Sequence, residues 1–212
     1  MRGRARRAGG VFSAVGFLVL GAVTTLLLTS TGPFGDDGRD GAPGAVEIGF
    51  AQDMIVHHQQ AVAMSQSVRG RVSASLSQLA AGIELNQVRE LGQLQGWLAL
   101  WDAPQVASGP PMTWMTDHPH PSGDTVMPGL ASVDEMNHLG DLKGRDLETS
   151  FLQLMIRHHQ GGLLMARAAA RRTTDPHVRA LATTMATEQQ QETATMTGLL
   201  SAMGRRTLPP PA

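Results

Sequence analysis

The sequence predicts an all-α protein. Its fold is a four-helix bundle made of two repeated αα-hairpins, behind an N-terminal membrane-spanning or signal segment. Three observations lead there. Aromatic residues make up only 4% of the 212 residues and tyrosine is absent, while methionine occurs 12 times. A core of Leu, Ala, Val and Met suits helices better than sheets, because the strong strand formers are scarce. The second observation is an internal repeat, and the third is apolar spacing that alternates between three and four residues in both copies.

The chain opens with "MRGRARR", followed by the apolar run "VFSAVGFLVLGAVTTLLL" over residues 11 to 28. Charge followed by a long apolar stretch is the layout of an export signal. The run approaches the roughly 20 residues that cross a bilayer, and no clean small-x-small cleavage site follows it. Residues 1–31 are therefore read as an uncleaved anchor in preference to a cleaved, secreted form. The arginines put its N-terminus in the cytoplasm and the remainder outside, in the cell envelope. Residues 32–45 form a flexible linker, rich in Gly and Asp. The helical bundle is expected over 46–204, with a short tail over 205–212.

A shift of 101 residues superimposes Glu47 on Glu148, Phe50 on Phe151 and Met54 on Met155. The same shift places His57-His58-Gln59 on His158-His159-Gln160, and Met64 on Met165. A shift of 102 then aligns Leu79 with Leu181, Gln87 with Gln189 and Glu90 with Glu192. Repeat one covers 46–101 and repeat two, with a preceding short helix, 132–204. Residues 102–131 cross between them.

Each repeat reads as two helices. In the first helix Glu47, Met54 and His58 point in nearly one direction, with Phe50, His57 and Met64 a quarter-turn away. In the second, the stripe Leu76, Leu79, Ile83, Gln87, Glu90, Leu94, Trp97, Trp101 is apolar except at its middle. Its copy is Val178, Leu181, Met185, Gln189, Glu192, Met196, Leu199, Met203. Asp175-Pro176 should start the last helix and Gly204 should end it. Ser132 and Glu135 form a capping box for the short helix.

Chemistry is expected where the stripes turn polar. A buried carboxylate without a partner costs several kcal/mol, and no Lys or Arg occupies a stripe position. Glu90 and Glu192 therefore face either protonated histidines or a cation held by His57, His58, His158 and His159. Imidazole and carboxylate suit Zn, Cu, Fe or Mn, and nearby thioethers bias the choice toward Cu(I). Met54, Met64, Met155 and Met165 lie on the same face as the histidines and complete the candidate ligand set. The expected supporting residues are Gln59, Gln160, Gln87 and Gln189, with Glu47 and Glu148 in first helical turns or reaching the site from one end. Asp53 precedes His57 by one turn, but Leu154 replaces it in the copy, so it is read as a surface residue. The crossing stretch carries Met112, Met115, His118, His120 and Met127, a candidate accessory group for capturing a soft cation.

The units "MIVHHQQAVAM" and "MIRHHQGGLLM", each followed by Gln-x-x-Glu, resemble the bacterial family called domain of unknown function 305. The resemblance covers about residues 46 to 204 and extends to "MPGLAS" ahead of the second copy. It implies a ferritin-like helical bundle, usually exported, with some members linked to copper binding or copper tolerance. By position, the family's His-His-Gln falls on His57, His58, Gln59 and on His158, His159, Gln160. Its later Gln and Glu fall on Gln87, Glu90, Gln189 and Glu192, and its leading acid on Glu47 and Glu148. This chain departs from the pattern at Ser65 and at Gly161-Gly162.

The function expected is that of an exported, membrane-tethered metal-binding protein that sequesters or delivers copper without turnover. The alternatives are a ferritin-like di-metal oxidase, which would need more carboxylates, and a metal-free helical interaction module. With no cysteine, thiolate metal sites, disulfides and thiol catalysis are excluded. Beyond the first arginines acidic side chains outnumber basic ones, which disfavours nucleic acid as a partner. Trp97, Trp101 and Trp114 are expected to be exposed, as candidates for contact between copies in a homo-oligomer.

Overall fold

Capping chemistry sets where the helices begin and end. In the computed structural model, which describes residues 42–115 and 127–211, the chain is all-α. Its helices are α1 (Ala45–Ser67), α2 (Ala74–Leu100), α3 (Val133–Asp141), α4 (Gly144–Arg172) and α5 (Pro176–Ala202). No strand occurs among the described residues.

Asp175 Oδ1 accepts the N–H groups of His177 (2.7 Å) and Val178 (3.1 Å), opening α5. The Ser132–Glu135 capping box opens α3, with bonds of 3.1 and 2.8 Å. Gly204, at φ +68°, closes α5 by donating to Ser201 O at 2.9 Å; a β-carbon disfavours that conformation.

α1 packs against α2, α4 against α5, and the two hairpins meet through α1 and α4. The composition of the core shows their directions. Phe50 and Met54, early in α1, share one apolar cluster with Met165 and Ala169, late in α4. Ala61 and Met64, late in α1, share the other with Leu147, Phe151 and Met155, early in α4. α1 and α4 are therefore antiparallel, and the repeat has become an approximate two-fold. α2 and α5 likewise each contribute one half to either cluster. Each large side chain buried there contributes about 1.5–3 kcal/mol.

The buried line of α2 is Leu76, Ala80, Ile83, Gln87, Glu90, Leu94 and Leu98. Leu79 and Trp97, expected on the line, are only partly buried, because the line turns onto Ala80 and Leu98.

The repeat symmetry also fastens the corners. Glu47 Oε1 accepts from Thr173 Oγ1 at 2.5 Å and from Thr174 N at 3.2 Å, ahead of α5. Glu148 Oε1 accepts from Ser73 N at 2.6 Å, ahead of α2. Ser73 is the N-cap of α2 and Thr174 directly precedes Asp175, the N-cap of α5. Glu47 lies in the first turn of α1 as expected. Glu148 lies in the second turn of α4, which starts two residues earlier relative to the repeat.

Burial works against ionisation of Glu47, yet the Thr173 hydroxyl and the N–H groups of Glu47, Thr174 and Gly44 outweigh it and hold its carboxyl below 4.5. The stabilisation is thus complete above pH 4.5 and is lost as pH falls through the lower, folded-state value. Glu47→Gln should destabilise the protein at pH 7, with the deficit shrinking in acid. Urea denaturation at pH 7 and below pH 4.5 measures it; an equal deficit at both would exclude this role.

The crossing segment differs from expectation. Met112, Trp114, Met115 and Met127 are 2–7% exposed and belong to the first apolar cluster. Asp53 is not a surface residue: it is 3% exposed and accepts from Met112 N (2.7 Å) and Trp114 Nε1 (2.8 Å). Gln52 adds a bond to Pro104 O at 2.7 Å. Comparing the repeats hides this role, since the partner of Asp53 is a segment that repeat two lacks. Burial pushes the Asp53 carboxyl up, and the two N–H bonds only partly offset it. Gly49 admits the Trp114 ring, which a β-carbon would meet at 2.7 Å.

Residues 1–31, the linker up to 41, His118 and His120 lie outside the described residues. Among the described residues, no helix is long and apolar enough to cross a membrane.

Candidate metal centre

The two apolar clusters are separated by a polar layer at mid-height, where the antiparallel repeats cross. His57, His58 and His159 are fully buried and His158 is 1% exposed. The rings of His57 and His158 sit 3.8 Å apart between centroids, at 37°. The repeat thus brings together at its axis the two motifs that the sequence holds 101 residues apart.

Every one of these rings uses Nε2. His58 Nε2 lies 2.7 Å from Glu90 Oε2, and His159 Nε2 lies 2.7 Å from Glu192 Oε2. His57 Nε2 meets Pro128 O at 3.1 Å, and His158 Nε2 meets His57 O at 2.9 Å. A carbonyl oxygen can only accept, so His57 and His158 carry their proton on Nε2. The Nδ1 atoms of all four histidines are buried without a hydrogen-bond partner.

The glutamines extend the imbalance. Gln87 and Gln189 are each 2% exposed. Gln87 Oε1, Gln160 Oε1 and both polar atoms of the Gln189 side chain are buried and unpartnered. Gly162 leaves the space that Gln189 Oε1 occupies, since a β-carbon there would stand 2.3 Å from it. With all four imidazoles neutral, the unpartnered His and Gln atoms are seven acceptors and a single donor, Gln189 Nε2. Buried polar atoms are ordinarily paired. An excess of lone pairs can be satisfied by a cation or by donating water, and not by rearrangement among themselves.

Electrostatics favours the neutral, ligand-competent imidazole at His57, His58 and His158. Burial, reinforced by the neighbouring imidazoles, pulls His57 and His58 down to about 3. The same causes hold His158 well below its usual value. The carboxylates differ. Burial pushes Glu90 up to about 7, while its Oε2 stays within 2.7 Å of His58 Nε2. For Glu192, burial is outweighed by His159 and by Asn86, which donates to Oε1 at 3.0 Å, so its carboxyl is lowered. Its side chain is 15% exposed against 3% for Glu90.

Other expected site residues lie elsewhere. Gln59 is exposed. Glu47 is ten residues, about 15 Å along the helix, from His57. Met54, Met64, Met155 and Met165 are fully buried, but split between clusters: Met54 with Met165, Met64 with Met155. Trp97 and Trp101 are half-buried and stacked at 5.7 Å, while Trp114 is interior. Among the described residues no group of three or more His, Asp or Glu side chains is arranged to hold a metal ion.

Sequence reasoning missed the roof over this layer. Gln60 exchanges two bonds with Ala131, at 2.8 and 2.7 Å, and Arg157 binds Glu135 and Leu130 O. These seat residues 127–132 on α1 and α4. The signal was visible in Gly161-Gly162, because paired glycines inside a helix weaken it unless something packs there.

A family model described as Domain of unknown function (DUF305) matches residues 47–200. Comparison with curated proteins finds no match. Among solved structures, a candidate secreted DUF305 protein from Streptomyces coelicolor is 41% identical, with a TM-score of 0.71 over 77% of this chain and 97% of that one. A DUF305 fragment from Deinococcus radiodurans is 29% identical, with a TM-score of 0.64 over 76% and 99%. CopM in its Cu(I)-bound form is 21% identical, with a TM-score of 0.58 over 74% and 96%. With most of its helical region matched, and its duplicated His-His pairs folded into one buried layer, the chain belongs to the DUF305 family.

Proposed function

We infer that this protein binds copper in the histidine layer, for sequestration or delivery. The observation that carries the reading is the surplus of buried, unpartnered acceptors, four of them imidazole Nδ1 atoms. Imidazole with thioether favours a soft cation such as Cu(I). The Nδ1 atoms of His57, His58, His158 and His159 are the ligands in this reading; Met54 with Met165, and Met64 with Met155, belong to the two separate apolar clusters and are at most further donors from either side. Glu90 and Glu192 hold rings in place through Nε2, as carboxylates behind metal-bound histidines do. This makes them orienting groups, where the sequence alone suggested ligands. Copper bound there would accept lone pairs from neutral imidazole nitrogens, which are buried away from water.

CopM, which shares the fold at low identity, exists in Cu(I)-, Cu(II)- and Ag-bound forms, which supports the class of ligand. The four long helices are read as a four-helix bundle. Export fits the N-terminal sequence and the candidate secreted relative; tethering by residues 1–31 belongs to the same proposal. A di-metal oxidase fits less well, because both layer carboxylates are engaged by histidines.

The test is competitive titration of the full-length chain with Cu(I), Cu(II), Zn(II) and Fe(II). It is run beside a variant carrying His57→Gln, His58→Gln, His158→Gln and His159→Gln. Preferential copper binding that disappears in the variant is expected. Copper binding that survives there would move the site to the crossing segment, and absence of binding in the parent would leave the histidines as structural partners of the glutamates.

A further inference from the structure

The histidine layer is buried, so a cation must reach it by one of its sides. The apolar clusters close both ends. Residues 127–132 close the α1–α4 side with backbone, Pro128 O lying where a β-carbon on Gly161 would stand only 1.9 Å away. The helices within each hairpin pack closely, as do α1 and α4, whereas α2 and α5 are not among the closely packed pairs. Side chains bridge their seam: Asn86 on Glu192 at 3.0 Å, and Arg89 on both oxygens of Glu188 at 3.1 Å. Outside the seam lies an open groove of about 370 Å³ whose lining includes Arg89, Gln93, His177, Thr184 and Glu188.

Glu188 spans the two environments. Its side chain is 30% exposed to the groove, and Arg89, which binds both its oxygens at 3.1 Å, is the chain neighbour of Glu90, which in turn holds His58. Gln87 Oε1 and His58 Nδ1 wait unpartnered in the buried layer. We propose that Glu188 is a transit ligand, passing a cation from the groove between α2 and α5 to Glu90 and the histidine layer, with Arg89 as the latch that occupies it at rest. The inference rests on the copper-binding reading above. It gives function to two residues that lie outside the repeated motif.

A transit ligand lowers the barrier in both directions, so its loss slows loading and release alike and leaves affinity nearly unchanged. Stopped-flow quenching of tryptophan emission by Cu(II) reads the loading rate in the full-length chain, and equilibrium titration reads Kd. Glu188→Gln, which keeps the size and hydrogen bonding but removes the charge, should load roughly tenfold more slowly with Kd unchanged within about twofold. Arg89→Gln should load faster than the parent. Glu84→Gln, which removes a charge elsewhere on α2, should load at the parental rate. Equal rates for Glu188→Gln and the parent, or equal slowing by Glu84→Gln, would overturn the proposal, as would weaker affinity at an unchanged rate. A parent that takes up no copper would fail the binding reading itself, a result distinct from uptake that ignores Glu188.

Discussion

Glu90→Gln and Glu192→Gln should each weaken Cu(I) binding about 10–100-fold without changing how many ions bind. The carboxylates fix the Nε2–H tautomer of His58 and His159 at 2.7 Å, which turns the Nδ1 lone pair toward the site and raises ring basicity. A glutamine of the same size can present its oxygen to the same N–H, but a neutral acceptor supports the ring less strongly than a charged one. The two effects should be unequal. Glu192 is held ionised, its carboxyl lowered despite burial, so its substitution removes a full charge; burial pushes Glu90 up to about 7, where it is already partly neutral. The larger loss is expected for Glu192→Gln. Competition with a chromophoric Cu(I) chelator measures affinity, and X-ray absorption measures the coordination shell. Loss of an oxygen scatterer in either variant would make that carboxylate a ligand and reverse the assignment.

How far the sequence reveals this molecule depends on which interactions the repeat carries. Helix positions, the Asp175 and Ser132 caps, and the burial of all four histidines follow from periodicity and local capping chemistry, both of which act within one or two helical turns. The pairing of Glu90 with His58 follows from the cost of a buried charge. Position along the chain could not show that Glu47 and Glu148 fasten corners, because their partners lie at the starts of α5 and α2 in the other hairpin. Asp53 was misread for a related reason. Its lack of a counterpart in repeat two suggested a dispensable surface group, when it marks the place where the single crossing segment docks. The same asymmetry applies at position 60: Gln60 grips Ala131 on α1, and its repeat equivalent on α4, Gly161, withdraws its side chain to admit Pro128. Departures from the repeat thus locate the one unrepeated element of the bundle.

That asymmetry makes Gly161→Ala the sharpest test of the packing. In most helices a buried or exposed glycine replaced by alanine gains helix propensity of about 1 kcal/mol. At Gly161 the new β-carbon would stand 1.9 Å from Pro128 O and 2.9 Å from Gly129 N. These are backbone atoms and cannot rotate away. Gly129, at φ +80°, is itself seated against Arg157 O, so the segment cannot relax by simple hinge motion there. Lifting it costs about 1–3 kcal/mol of overpacking. It also strips His57 Nε2–H of its acceptor, adding about 1–3 kcal/mol for a buried donor left unpaired. Net destabilisation of several kcal/mol should therefore appear in urea denaturation, accompanied by weaker copper binding because the His57 tautomer is no longer held. Gly198→Ala in α5 is the matched control, since nothing lies within 4 Å of its added β-carbon; it should stabilise the protein by about 0.5–1 kcal/mol. If Gly161→Ala stabilised the chain as Gly198→Ala is expected to, residues 127–132 would not be seated on the histidine layer, and the roof that directs cations to the α2–α5 seam would be gone.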